Sequence, residues 1–332
     1  MGFSFQGLQT LVPGLGDAGI SLPYTLDPSV LPNGAMPSGW IGATAAIASG
    51  KIVITPTQGA EDITNSNMET GSPPSNWSAV NLATLTSVAD ERTGGAGSKS
   101  LSVTNGGVSQ GAARQDLDNG SGIWMSFDLW GRSVTNSSAR VLLRQADNTT
   151  ITTQVITAAT SWTNLLFDAR LVGAGCYMAL QNTTNAPGDE ARYDDISAKP
   201  LSGLIAYKDF GTANVQVKLA STIGTLRAMG VVARYVDANN YLYAYLGRMT
   251  NTINLIKVLS GNTSSLISIA GTYGVAQNVE IRCNGTTAQL FYNNAQVGTD
   301  QTVDAIYSTG TKHGVFSTSA LNTGGVFVVT AN

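Results

Sequence analysis

The sequence is poor in charge, cysteine and histidine, and it has no long apolar run. Each shortage removes a class of protein. Asp, Glu, Lys and Arg make up 12% of the 332 residues, about half the share in an average soluble domain. The net charge of −3 leaves no basic footprint. Neither nucleic acid nor an anionic membrane is an expected partner. No stretch approaches the roughly 18 consecutive apolar residues of a spanning helix, so membrane insertion is not expected. Cys176 and Cys283 fall in segments assigned below to different domains, which points to two buried thiols rather than a bridge. His313 is the only histidine, and HGVFS supplies neither zinc spacing nor a nucleophile elbow. It reads as a turn or core histidine beside the last strand. The first basic side chain is Lys51, so the opening residues do not read as a secretory signal. MGFSFQ also has Gln6 where a myristoylation signal needs a hydroxyl.

What remains is 42% apolar residues, 37 glycines, and polar positions filled mostly by Ser, Thr and Asn. That balance suits β-sandwiches better than a helical enzyme or a disordered tail. GIWMSFDLWGR alternates: Ile123, Met125, Phe127 and Leu129 face one way, and Trp124, Ser126, Asp128, Trp130 and Arg132 the other. In ARVLLRQ, Val141 and Leu143 oppose Arg140 and Arg144. In GCYMALQ, Cys176, Met178 and Leu180 oppose Tyr177 and Gln181. Asn119-Gly120 is a tight-turn signal. VEIRCNGTTAQLFYNNAQVG reads as three strands joined at Asn284-Gly285 and Asn293-Asn294, and GVVARYVDANNYLYAYL as a hairpin turning at Asp237–Asn240. No segment carries helical periodicity over three turns. The expected fold class is all-β. Residues 1–26 are glycine-rich, apolar and aperiodic, read either as a flexible tail or as an arm that orders by docking on a partner.

Two family resemblances give these strands an order. Residues 65–201, with NSNMETGSPPSNW near the start, GSKSLSV in the middle and YDDISAKPL at the end, resemble carbohydrate-binding modules of the jelly-roll type. GVVARYVDANNYLYAYL, EIRCNGTTAQLFYNNAQVG and TKHGVFS resemble the concanavalin A-like lectin/glucanase sandwiches. LPNGAMPSGWIGATAAIASGKIVITPT, residues 31–57, is similar to the opening strands of those sandwiches, but its continuation GLIAYKDFGTANVQVKL comes only after residue 202. The expectation is two jelly-roll β-sandwich domains, one inserted into the other. Residues 27–58 and 203–332 form the split lectin-like domain, residues 59–202 the insert, and residues 1–26 an N-terminal docking arm.

Such modules recur in phage virion proteins. The resemblance therefore implies a virion structural protein, a head- or tail-attached decoration or fibre component on the particle surface, made in the host cytoplasm without an export signal. It would join other virion proteins through residues 1–26, form a homo-oligomer, and bind host surface glycans weakly and multivalently. Two alternatives stay open: a polysaccharide hydrolase or depolymerase on the same fold, and an architectural cementing protein with no ligand. A glucanase of this family would need a Glu-x-Asp-x-Glu pattern or a close variant. None of Glu61, Glu69, Glu91, Glu190 and Glu280 belongs to one, so no catalytic residue is assigned.

Sugar binding needs an aromatic face and neighbouring groups that bond hydroxyls. Trp130, Arg132, Arg144, Tyr177 and Gln181 occupy polar-facing strand positions that would line one concave sheet. Tyr241, Tyr243 and Tyr245 form a second stripe about 14 Å long, which suits a sugar platform or, equally, packing between sheets or subunits. The jelly-roll resemblance implies a structural calcium at Glu69, Asp194 and Asp195. No other cofactor is expected.

Overall fold

Alternating apolar and polar residues give short strands throughout the chain, and all of their pairings are antiparallel. The computed structural model describes residues 20–332 apart from 91, 108, 121, 136–137, 157–159, 225–226, 249 and 274–276. The described residues form four sheets with two 3-10 turns, Pro28–Val30 and Ala305–Thr309. The protein is all-β.

One pair of sheets draws its strands from both ends of the sequence. Tyr24–Leu26 and Lys51–Ile54 both pair with one edge of Thr323–Ala331 in a nine-stranded sheet, with Leu26 opposite Phe327 and Ile52 opposite Gly324, while Val215–Thr222 takes the other edge. In the facing seven-stranded sheet, Ile41–Gly42 lies on the edge of Ile205–Asp209, with Gly42 opposite Ala206. Leu26, Ile47, Ile52 and Ile54 share a core with Val217, Leu219, Val231, Leu290 and Phe327. Close approach explains Gly324: a Cβ there would lie 3.2 Å from the Ile52 Cβ. Residues 24–26 are therefore a sandwich strand instead of the end of an arm. Ile20 and Leu22, just ahead of it, pack against the same core, and residues 1–19 of that expected arm lie outside the described residues.

Two further sheets form from the sequence between. A five-stranded sheet runs in the order Thr150–Ile156, Ala139–Arg144, Tyr177–Asn182, Ala112–Asp116, Ser78–Val80. A six-stranded sheet is built on Trp124–Ser133 between Thr163–Arg170 and Glu190–Ser202. Their inner faces meet through Val141, Leu143 and Met178 on one side and Phe127, Phe167 and Ile196 on the other. Thr57–Gln58 pairs with Leu201 and Ser202, so the chain enters and leaves this sandwich along neighbouring strands. Asn119-Gly120 does not close a hairpin; it lies in the connection that crosses from one sheet to the other.

The two sandwiches pack on one another. Trp124 and Leu201 cover Val232, Tyr243, Tyr245, Ile256, Val258 and Phe316 on the outer face of the seven-stranded sheet. Trp124 meets Tyr245 edge-on, with centroids 5.3 Å apart. Beside this contact Arg227 and Asp168 form an ion pair with side chains only 6% and 1% exposed.

His313 is a core residue. Its Nδ1 accepts from the Arg234 backbone N–H at 3.0 Å, and its Nε2 lies 2.9 Å from the Thr212 carbonyl. Burial lowers its pKa to about 4. Arg234 itself is fully buried with φ +52°. It donates to the carbonyls of Ala213 (2.7 Å) and Gly285 (2.6 Å) and to Asn214 Oδ1 (3.1 Å). Both cysteines are free and buried.

Candidate functional site

Strand periodicity fills the outer face of the five-stranded sheet. While Val141, Leu143, Met178 and Leu180 point into the core, the alternate positions carry Arg140, Leu142 and Arg144 on one strand and Tyr177, Ala179 and Gln181 on the next. Register sets Arg144 opposite Tyr177 and Arg140 opposite Gln181. On the far side Arg114 stands opposite Ala179, and its guanidinium lies 3.9 Å from the Tyr177 ring centroid. The Tyr177 hydroxyl donates to Asn148 Oδ1 at 2.5 Å, and Arg140 donates to Gln181 Oε1 at 2.5 Å. Arg114, Arg144, Asn148, Tyr177, Ala179 and Gln181, with Val80, Asn81 and Ala112, line a cleft of about 300 Å³, and Arg140 lies beside it on Gln181. Arg144 Nε is buried without a hydrogen-bond partner. The cleft thus offers guanidinium, amide and hydroxyl groups over a small apolar floor of Val80, Ala112 and Ala179. Such a surface can hydrogen-bond a polyhydroxylated ligand.

Of the five residues expected on one concave sheet, three meet here and two do not. Trp130 and Arg132 belong to the six-stranded sheet, across the core from Arg144, Tyr177 and Gln181. Both are engaged within the protein. Arg92 lies over the Trp130 ring at 4.3 Å, and Arg132 pairs with Asp90, which also holds Arg192. Spacing shows which residues share a strand face, but not which strands share a sheet.

The tyrosine stripe is likewise divided. Tyr243 and Tyr245 are buried against Trp124 and Phe316, so this part packs between the sandwiches and forms no open three-ring platform, although Tyr245 also lines a cleft there. Tyr241 is only partly buried. It continues a ladder through Tyr235 to Tyr207 along the rim of a second cleft.

The calcium set does not assemble. Glu69 accepts from the Lys99 N–H at 2.7 Å and from the Ser98 N–H, fixing that loop. Asp195 pairs with Arg92 at 2.5 Å and accepts from the Ala96 N–H. The neighbouring Asp194 accepts from the Arg92 N–H at 3.1 Å, and burial raises its pKa to about 6. Loop amides and a guanidinium take the oxygens that a cation would need. No group of three His, Cys, Asp or Glu side chains among the described residues is placed to hold a metal ion.

Sequence reasoning missed Arg114 and Asn148, which meet Tyr177 only through sheet register and a loop, and it missed the cleft between the sandwiches altogether. That cleft, of about 290 Å³, is lined by Trp124, Asp168, Arg170, Arg227 and Tyr245 together with strand residues Thr252, Asn254, Ser265 and Ser268. Burial pushes the Asp168 carboxyl up to about 6, against the opposing pull of Arg227. No helix among the described residues is long and apolar enough to cross a membrane.

No family model and no curated protein matches the chain. Among solved structures it is similar to the enzymatically active domain of bacteriophage CBA120 tailspike protein 4, at 13% identity and a TM-score of 0.35 over 42% of this chain and 21% of that one. It is also similar to a family 16 carbohydrate-binding module, at 16% identity and 0.33, covering 41% of this chain and 98% of the module. A third is the CBM22-1 xylan-binding domain of a Paenibacillus barcinonensis protein, at 12% identity and 0.34, covering 45% and 97%. The chain spans about a fifth of the tailspike domain that it matches.

Proposed function

We propose that the protein binds glycans without turning them over, through the outer face of the five-stranded sheet. The observation that carries this reading is the convergence of Arg144, Tyr177 and Gln181 with Arg114 and Asn148 around one cleft. A sugar entering it would take hydrogen bonds from the guanidinium and amide groups, including the unpartnered Arg144 Nε, while ring carbons rest on the apolar floor. The lining of this cleft includes no Asp or Glu among the described residues, which supports binding over hydrolysis there. Glu69 and Asp195 are bound to backbone amides, while Glu190 and Glu280 are paired with Arg192 and Arg282. The family resemblances in the sequence extend the proposal to a phage particle, where the protein would be a decoration or fibre component joined to other virion proteins through the residues ahead of the strand Tyr24–Leu26. Many copies on one particle would make weak individual sites sufficient.

A trimerised form of the protein on a broad glycan array tests this directly. Binding to a subset of glycans, lost in Arg144→Ala, is the expected outcome. Silence across the panel would favour a purely architectural protein, and release of reducing ends from a polysaccharide would favour an enzyme.

A further inference from the structure

The cleft between the two sandwiches carries a second, independent demand for a ligand. Its charged groups do not balance. Arg227 and Asp168 neutralise one another, whereas among the described residues the guanidinium of Arg170 has only the Tyr243 hydroxyl as hydrogen-bond partner, 3.0 Å from its Nη1. The Nε atoms of both arginines are buried without a hydrogen-bond acceptor, and Asp168 Oδ2 beside them is buried without a donor, so the cleft holds two open donors for one open acceptor. Buried N–H donors without a partner are rare in folded proteins. Two of them on guanidinium groups lining the same cleft call for an oxyanion, and a planar carboxylate matches the fork of an arginine.

The remaining walls describe what would carry that carboxylate. Trp124 and Tyr245 supply aromatic surface, while Asn254 and Ser268, joined by a 2.9 Å hydrogen bond with the Asn254 amide also donating to Thr252, keep oxygen lone pairs to which sugar hydroxyls can donate. One apolar face, one hydrogen-bonding face and one cationic end correspond to a pyranose ring bearing a carboxyl group. The volume of about 290 Å³ lies at the small end of ligand sites, sized for a single sugar unit rather than a chain.

We propose that this junction binds the carboxylate-bearing sugar of an acidic saccharide, with Arg170 as the principal anion contact and the Trp124–Tyr245 wall against the ring. The site is separate from the cleft on the five-stranded sheet, and it does not rest on that cleft binding anything.

The test is a titration of the intact, isotope-labelled protein with D-glucuronic acid, followed at the Trp124 indole N–H resonance. A saturable shift is expected, with D-glucose and acetate each binding at least tenfold more weakly. Arg170→Gln keeps the Asp168–Arg227 pair and is expected to weaken glucuronate binding tenfold or more. Ser265→Tyr places a bulky group at the mouth from an exposed strand position and is expected to abolish binding while leaving the core untouched. Arg144→Ala, in the other cleft, is expected to have no effect. Equal binding of glucose or acetate would overturn the assignment, as would glucuronate binding that survives both cleft variants, or no saturable shift at all.

Discussion

The indole of Trp40 stands edge-on to the ring of Phe327, with centroids 5.3 Å apart. One residue precedes the intervening sandwich and the other closes the chain, so their contact ties the first strands to the last. Phe327→Ala empties a fully buried position and is expected to cost about 3–5 kcal/mol. In a double-mutant cycle with Trp40→Ala, a coupling of about 0.5–1.5 kcal/mol is expected from denaturant unfolding. Strict additivity would show that the two rings do not support one another.

Removal of residues 59–202, with the ends rejoined by a short linker, tests whether the outer segments fold as a unit. Thr57–Gln58 and Leu201–Ser202 are paired neighbours, so the gap to be closed is short. A cooperatively unfolding β-protein is expected. Loss of Trp124 and Leu201 would bare the face around Tyr243, Tyr245 and Phe316, so self-association that rises with concentration is also expected. A variant with no cooperative transition at any concentration would contradict the split-domain organisation.

The Arg227–Asp168 pair makes a pH-dependent prediction. Because the folded pKa of Asp168 is raised to about 6, its contribution to stability is greatest below the ordinary carboxylate range and declines as pH rises through 4 to 6. Arg227→Met leaves this carboxyl without its partner and raises its pKa further. At pH 5 the acid is protonated and the loss is modest. At pH 8, where the paired carboxylate is ionised, the variant must either bury an unpaired charge or take up a proton against the bulk pH, and the cost is expected to approach about 3–5 kcal/mol, the value for breaking a buried pair. An equal loss of stability at the two pH values would contradict this account.

His313 works in the opposite sense. Its folded pKa of about 4 lies below the ordinary 6.5, so the unfolded chain takes up a proton first. The stability that neutral His313 provides is complete above about pH 6.5 and is lost as pH falls toward 4, about 3 kcal/mol in all. His313→Gln retains an acceptor for the Arg234 N–H and a donor for the Thr212 carbonyl, and it should flatten that part of the curve. A pH–stability profile unchanged in shape by the substitution would argue against a buried neutral imidazole.

Much of the fold was legible from alternation. Met125, Phe127 and Leu129 are core residues on the predicted face, and the strands on either side of Asp237–Asn240 form the expected hairpin. Alternation failed where a second layer covers an outward face. Trp124 and Ser126 sit at polar-facing positions of the same strand, yet both are buried, because the seven-stranded sheet packs over that end. The site was half legible for the same reason. Local spacing placed Arg144, Tyr177 and Gln181 on outward positions, but only the sheet order separates them from Trp130 and Arg132. The cleft at Arg170 left no local signal, since its walls come from strands far apart in sequence.

The most direct measurement is an amide chemical-shift titration of the intact protein with a soluble oligosaccharide selected on the glycan array. Saturable shifts are predicted to cluster at Arg114, Arg144, Asn148, Tyr177 and Gln181 and to vanish in Arg144→Ala. Saturable shifts confined to any other surface, with that cluster unmoved, would contradict the account.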